Sequence, residues 1–294
     1  MTSIVETQRF DAHLRARVAQ LAAAVGFAML IGLAFRSTAG AEPPPATWVP
    51  AAAPAGIDAP GAAWMLVDAP GGQLLTAAFR PSGAGPFPLV VVYHGGTGLF
   101  EGHVQLASFF AQHGFMAVTG CWFGPGAPTG PAAVGQKLDC TQAPNPAQHD
   151  AQAGAWPLLS AARSLPDVRS DAVGLYGMSL GGTEVLLLAS HGAGVQAVVT
   201  DAARSTEGDS PVPVPLPLDS VGELSARLFM FHQTGDPVVP GQQTPDYAAA
   251  AQAAGVHVEV HMYEGERHTV ENAPEIRDDA RQRSLEFFSR YLGR

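Results

Sequence analysis

Charge is scarce in this chain of 294 residues. Asp, Glu, Lys and Arg together make up 14%, and 26 acidic residues outnumber 16 basic ones for a net charge of -10. No Lys/Arg-rich run and no basic stripe interleaved with aromatics occurs, which argues against nucleic acid or an anionic membrane surface as a partner. Cysteine is nearly absent, with only Cys121 and Cys140, and no Cys/His spacing of the metal-binding kind appears. No internal repeat is found, so solenoids and propellers are set aside. What the chain has in quantity is apolar residues, 47% of the total, enough for the core of one large α/β domain.

Residues 1–41 read as a segment outside the fold. Arg9, Arg15 and Arg17 make a basic start, the apolar run VAQLAAAVGFAMLIGLAF follows from Val18 to Phe35, and Ala39 and Ala41 stand in the A-x-A arrangement of a signal-peptidase site. A cleaved export signal is the expected reading, with a periplasmic or secreted product that has no membrane contact after cleavage. An uncleaved N-terminal membrane anchor is the alternative, because the run is longer than a usual signal core. Residues 42–61, rich in proline and alanine, read as a semi-extended linker or a strap along the surface, with the domain proper at 62–294. In an oxidising compartment Cys121 and Cys140 can form a disulfide, closing a Gly/Pro-rich loop and contributing about 3 kcal/mol by the loop-entropy argument. Two inert buried thiols, or one reactive thiol, are the competing readings.

From Trp64 onward strand-like and helix-like segments alternate. WMLVDA and LLTAAF flank Pro70-Gly71-Gly72 as a hairpin. PLVVVYH is a continuous β-branched run of the kind that forms a strand buried on both faces. Helices are expected over 101–113, 148–165 with Pro157 as an irregularity or break, 180–190, 245–254 and 276–292. Strands are expected at 115–119 and at AVGLYG, VQAVVT, RLFMFHQ and VHVEVHM. The pattern predicts an α/β fold: a mostly parallel central sheet with helices on both faces and a leading β-hairpin. Ligands bind beyond the carboxyl ends of such strands, so reactive residues just after strands carry the most weight.

Ser179 is one of these. Gly177-Met178-Ser179-Leu180-Gly181 has the form G-x-S-x-G between a strand and a helix, a turn that strains the central residue and lifts its hydroxyl above the sheet. The Leu180 N–H at the helix start points to where an oxyanion would develop. A serine needs a base, and among 10 histidines His268 stands out by following the last strand and preceding the last helix. His232, His257 and His261 fall inside strands, where a histidine is more often a satisfied structural residue. The base needs an acid, and Asp236 and Asp201 both follow strands. Chain order favours Asp236, giving Ser…Asp…His. His94-Gly95-Gly96-Thr97-Gly98 ends the VVVYH strand, and the Gly96 N–H, with that of Thr97 beside it, is the expected second oxyanion donor. No phosphate-cradling motif competes for this loop.

HGG, GMSLGG, TGDPVVP and GERH, in that order, resemble the α/β-hydrolase superfamily, in the style of its dienelactone-hydrolase-like branch of exported members. The resemblance covers the chain from about Trp64 to its end. It implies the α/β-hydrolase fold, with Ser179, Asp236 and His268 as catalytic triad and Gly96 and Leu180 as oxyanion-hole donors. One departure matters: typical dienelactone hydrolases use a cysteine nucleophile where this chain has Ser179, which favours ordinary ester cleavage. Trp122 and Phe123, in CWFGPG, are the candidates for substrate binding at the pocket mouth, against a packing role under the Cys-closed loop. Residues 205–223, rich in proline, are expected to form a short ordered flap.

The expected activity is hydrolysis of a small-molecule carboxylic ester through an acyl-enzyme, with no metal or organic cofactor. A peptidase or a lactone or dienelactone hydrolase on the same fold is the alternative, as is a non-catalytic binding protein. The latter would be expected to lose a triad member, and a peptidase to carry a large cap or propeller. Mass spectrometry of the mature protein should find an N-terminus at Glu42 and no alkylatable thiol. An intact Met1 end, or two thiols modified under denaturation, would remove the export reading.

Overall fold

The computed structural model describes residues 47–293, apart from 55–56, 70–71, 123–150 and 209–214, with the backbone alone at 151–153. Among the described residues nine strands form one sheet. In chain order these are β1 (Trp48–Pro50), β2 (Ala63–Ala69), β3 (Gly72–Phe79), β4 (Phe87–Tyr93), β5 (Met116–Gly120), β6 (Val168–Met178), β7 (Ala197–Asp201), β8 (Arg227–Gln233) and β9 (Val258–Tyr263). The helices are α1 (Glu101–Gln112), α2 (Ala151–Arg163), α3 (Leu180–Ser190), α4 (Gln243–Ala253) and α5 (Pro274–Leu292), with 3-10 turns at Pro217–Glu223 and Val270–Asn272.

The spatial order is β1-β2-β3-β5-β4-β6-β7-β8-β9. β1, β2, β3 and β5 pair antiparallel with their neighbours, and β5, β4, β6, β7, β8 and β9 run parallel. The expected hairpin is β2–β3, with Ala69 opposite Gly72. β1 adds a strand that the sequence reading placed in the linker: Trp48 pairs opposite Val67, and its indole N–H donates to Ser164 Oγ at 3.1 Å. The ordered sheet therefore begins before Ala62. An edge position tolerates Pro50, whose missing N–H a central strand would need. Of the two readings of Pro157, an irregularity inside the helix or a break, the structure shows the first: α2 runs through it.

β4 shows why the sheet is buried on both faces. Leu89, Val91 and Tyr93 join one core with Leu175 of β6 and the apolar sides of α2, α3 and α4. Val90 and Val92 point the other way, joining Tyr176, Phe231, and Phe110 and Phe288 of α1 and α5. This is the period-2 alternation of a strand, hidden in sequence because both faces are apolar. α3 is wholly buried, and its residues include Leu186 and Leu188 on one core and the polar Thr183 and Glu184. Gly174 of β6 gives α5 its approach, since a β-carbon there would lie 2.6 Å from Phe288 Cε1.

The register sets the functional edge. Tyr93 pairs with Gly177, Met178 with Asp201, and Gln233 with Tyr263. The carboxyl ends of β4, β6, β7, β8 and β9 thus finish on one side of the sheet: Ser179 directly follows β6, Asp201 ends β7, and the loops after β4, β8 and β9 carry Gly96, Asp236 and His268. Among the described residues no helix is long and apolar enough to cross a membrane.

Phe288 fills the second core between Phe110, Phe115 and Phe287 and is fully buried. Phe288→Ala should lower the unfolding free energy in urea by about 3–5 kcal/mol. Val49→Ala, on the exposed edge strand, should change it by less than about 0.5 kcal/mol.

Candidate active site

No loop separates β6 from α3. Met178 ends the strand, Leu180 opens the helix, and Ser179 alone makes the corner at φ 52 and ψ -117. A non-glycine residue held there costs on the order of 1–3 kcal/mol, so neighbouring groups must fix it. The Ser179 N–H donates to the Asp201 carbonyl at 2.8 Å, and its carbonyl accepts the Thr183 N–H at 3.0 Å, starting the helix. The flanking glycines are steric requirements. A β-carbon at Gly177 would lie 2.7 Å from the Gly182 nitrogen, and one at Gly181 would lie 2.6 Å from the His94 carbonyl oxygen. Ser179 is left partly exposed above the strand ends.

Ser179 Oγ lies 2.7 Å from His268 Nε2, and His268 Nδ1 lies 2.8 Å from Asp236 Oδ2. The imidazole is 24% exposed while the carboxylate is fully buried. Asp236 takes further hydrogen bonds from the N–H groups of Val238 at 2.7 Å and Val239 at 3.1 Å and from His232 Nε2 at 2.8 Å. Burial by itself would raise the pKa of this carboxyl. The hydrogen bonds from His232 and His268, the His268 charge and the Val238 N–H outweigh it and hold Asp236 well below the usual carboxylate range. An ionised carboxylate only accepts, so His268 Nδ1 carries the hydrogen and Nε2 offers its lone pair to the Ser179 hydroxyl. This is the tautomer that removes a proton from serine.

The loop after β4 lies against this corner. A β-carbon on Gly95 would sit 3.3 Å from Ser179 Cβ, and one on Gly96 would sit 3.7 Å from Leu180 Cδ2. Among the described residues neither the Gly96 nor the Leu180 N–H donates to a protein acceptor. Thr97 lies in the turn closed by the Gly98 N–H on the Gly95 carbonyl at 3.1 Å. The loop is held from below: His94 Nδ1 bonds the Gly95 carbonyl at 2.7 Å, and the Trp122 indole N–H donates to the His94 carbonyl at 3.2 Å. Trp122 is fully buried, with its ring 5.3 Å from His94 and 5.6 Å from Tyr93. Its indole N–H is thus spent on the loop beneath the site. Phe123 and Cys140 lie outside the described residues. His103 meets His94 at 6.0 Å; burial, reinforced by His94, pushes it down to about 3, so it is neutral.

Asp201, the competing acid, makes no hydrogen bond or ion pair with His268 among the described residues. Its Oδ1 accepts the Val270 N–H at 2.9 Å and its Oδ2 the Glu271 N–H at 3.1 Å, while its carbonyl holds Ser179. It therefore ties the serine corner to the segment just after His268. Glu271 pairs in turn with Arg281. Of the 205–223 segment, the Leu218 N–H closes on the Ser205 carbonyl at 3.1 Å, and Gln243 Oε1 accepts the Ser205 N–H at 2.9 Å. His232 is the site neighbour that sequence reasoning passed over. Its four-residue spacing before Asp236, with a tight turn between, was the available signal. Among the described residues no group of three or more His, Cys, Asp or Glu side chains is placed to hold a metal ion.

Residues 74–292 match the dienelactone hydrolase family. No curated protein matches the chain. Among solved structures, a Klebsiella pneumoniae subsp. pneumoniae MGH 78578 protein assigned as a dienelactone hydrolase aligns at TM-score 0.65 and 20% identity, over 78% of this chain and 98% of its own. A dienelactone hydrolase-like promiscuous phosphotriesterase from metagenomic libraries aligns at 0.62 and 18%, over 79% and 98%. Thermogutta terrifontis esterase 2, phosphorylated by paraoxon, aligns at 0.61 and 16%, over 81% and 97%. At these identities the likeness establishes the α/β-hydrolase fold.

Asp201 gives the site a pH signature in stability. Burial, against the pull of the Val270 and Glu271 N–H groups, pushes its carboxyl from an ordinary 3.8 up to about 8. Between those values the folded protein keeps a proton that the unfolded chain has released, so stability from this group falls as pH rises through the window. Asp201→Asn removes that slope. Its melting temperature relative to the parent should improve between pH 5 and pH 8, by about 2–4 °C for each kcal/mol of buried charge relieved. A difference that stays constant across this range would show that Asp201 is ionised in the fold throughout.

Proposed function

This chain belongs to the dienelactone hydrolase family, and we propose that it is a serine hydrolase cleaving small-molecule carboxylic esters through an acyl-enzyme. The observation that carries the reading is the continuous relay from Ser179 Oγ through His268 to Asp236, at 2.7 Å and 2.8 Å. In attack, His268 Nε2 takes the Ser179 proton as Oγ bonds the ester carbon. The Gly96 and Leu180 N–H groups receive the carbonyl oxygen as it becomes an oxyanion. Collapse expels the alcohol, which takes the proton from His268. Water then attacks the acyl-enzyme with the same histidine as base and frees the acid and Ser179. Asp236 stays ionised throughout, holding the Nδ1–H and stabilising the imidazolium.

The sequence supports an exported enzyme, and a Cys121–Cys140 disulfide accompanies that reading. Serine in place of the cysteine typical of dienelactone hydrolases favours ordinary esters, because an unionised hydroxyl depends on the base that this relay supplies.

A fluorophosphonate probe should label the mature protein at Ser179 alone, and p-nitrophenyl esters of graded acyl length should be hydrolysed. Ser179→Ala should abolish both. Asp236→Asn should lower kcat by roughly ten-thousand-fold through the wrong histidine tautomer. kcat/KM should rise with pH through one ionisation and then level. Labelling that survives Ser179→Ala, or activity lost to a chelator, would sink the assignment.

A further inference from the structure

Asp236 carries a second imidazole. His232 Nε2 lies 2.8 Å from Asp236 Oδ2, the same oxygen that receives His268 Nδ1 at 2.8 Å. His232 is fully buried, and its other ring nitrogen, Nδ1, lies 2.9 Å from Thr244 Oγ1 at the start of α4. The carboxylate accepts only, so His232 Nε2 carries the hydrogen, and in the neutral ring the Thr244 hydroxyl donates to Nδ1. The two histidines are thus fixed in opposite tautomers around one oxygen. The second oxygen, Oδ1, is held by the Val238 and Val239 N–H groups.

We infer that His232 is a positioning residue for the triad acid: it anchors Asp236 Oδ2 and, by sharing that oxygen, sets how strongly the carboxylate holds His268. The inference rests on the reading of Ser179, His268 and Asp236 as the catalytic relay. One N–H on Oδ2 fixes the plane of the carboxylate but does not determine its charge toward His268. A second donor on the same oxygen draws off part of that charge, so the imidazolium formed during attack is stabilised less than a lone pair of partners would allow. Among the described residues Asp201, at the end of β7, is the further carboxyl coupled to Asp236, and its oxygens accept the Val270 and Glu271 N–H groups, not His232. α4 presents the Thr244 hydroxyl.

Two near-isosteric substitutions separate this role from packing. The amide nitrogen of His232→Gln reaches the place of Nε2 and keeps the bond to Asp236. His232→Asn reaches only the place of Nδ1, keeping Thr244 and losing Asp236. In His232→Asn the acid limb of kcat/KM should move to higher pH by about half to one unit, the worth of one hydrogen bond to a carboxylate shared between two partners. Its plateau kcat should fall about tenfold with KM unchanged, as the carboxylate loosens. His232→Gln should keep the parent limb. The His268 ring, followed by NMR with ¹⁵N-labelled histidine, should titrate with the same displacement in a Ser179→Ala background. Equal limbs for the two variants, or a fall in rate uniform in pH, would overturn the inference and leave the triad standing. Loss of the triad reading itself would appear separately, as activity in Ser179→Ala, and the ring titration would still decide whether His232 shares Asp236.

Discussion

One main-chain hydrogen bond organises the carboxyl edge of this sheet: the Ser179 N–H on the Asp201 carbonyl. It is the last rung of the β6–β7 ladder, following from the pairing of Met178 with Asp201. The rung falls where both chains leave the strand, at Ser179 with φ 52 and Ala202 with φ 54. Each strained corner is braced by its neighbour: Ser179 on Asp201, and Ala202 through its N–H on the Phe231 carbonyl of β8. Without those rungs the turn would relax, and the hydroxyl would lose its fixed height above Gly95. Because the Asp201 side chain holds Val270 and Glu271, the same residue also sets the distance between Ser179 and His268.

That arrangement buries acidic groups, and the two aspartates answer the problem differently. Asp236 is solvated by protein: four N–H donors replace water, and the carboxyl stays ionised in spite of burial. The Asp201 carboxyl has two main-chain donors and acidic neighbours, and burial wins. Deeper burial and acidic neighbours hold Asp201 neutral, whereas two imidazole and two main-chain donors keep Asp236 a negative charge beside His268. The two positions look alike in sequence, each an Asp after an apolar strand. Chain order separates them, and the hydrogen bonds supply the reason.

The architecture was legible because its signals are local. Apolar runs bounded by glycine mark the parallel strands, and G-x-S-x-G fixes its own surroundings through sterics that glycine alone satisfies. Features that depend on distant partners were not legible. Trp48–Pro50 reads as proline-rich linker until β2 offers it an edge. Pro157 leaves an irregularity or a break open in sequence, and the packing of Ala155, Leu158 and Leu159 of α2 into the first core decides for a continuous helix. Trp122 reads in sequence as a pocket or a packing residue alike, and nothing local shows that the His94 carbonyl lies within reach of its indole. His232 looks like an ordinary strand residue because the partner it shares, Asp236, turns back toward it only after Gly235.

The supports beneath the Gly95–Gly96 loop bear on the proposed serine chemistry. An oxyanion donor contributes most when it is already aimed and costs nothing to reorganise during reaction. Glycine leaves the Gly96 N–H unshielded, but it also frees the peptide to rotate away. His94 and Trp122 remove that freedom by occupying the Gly95 and His94 carbonyls, so the adjoining N–H groups have one direction left to face. On the other side of Ser179 the Leu180 N–H is fixed by the helix it begins. A thiolate brings its charge to the reaction already formed, whereas a hydroxyl creates charge as it attacks. On the proposed reading Ser179 therefore depends more heavily on aimed donors and on a carboxylate that stays ionised, and the carboxyl edge of this sheet holds both the Gly95–Gly96 loop and Asp236 from more than one strand.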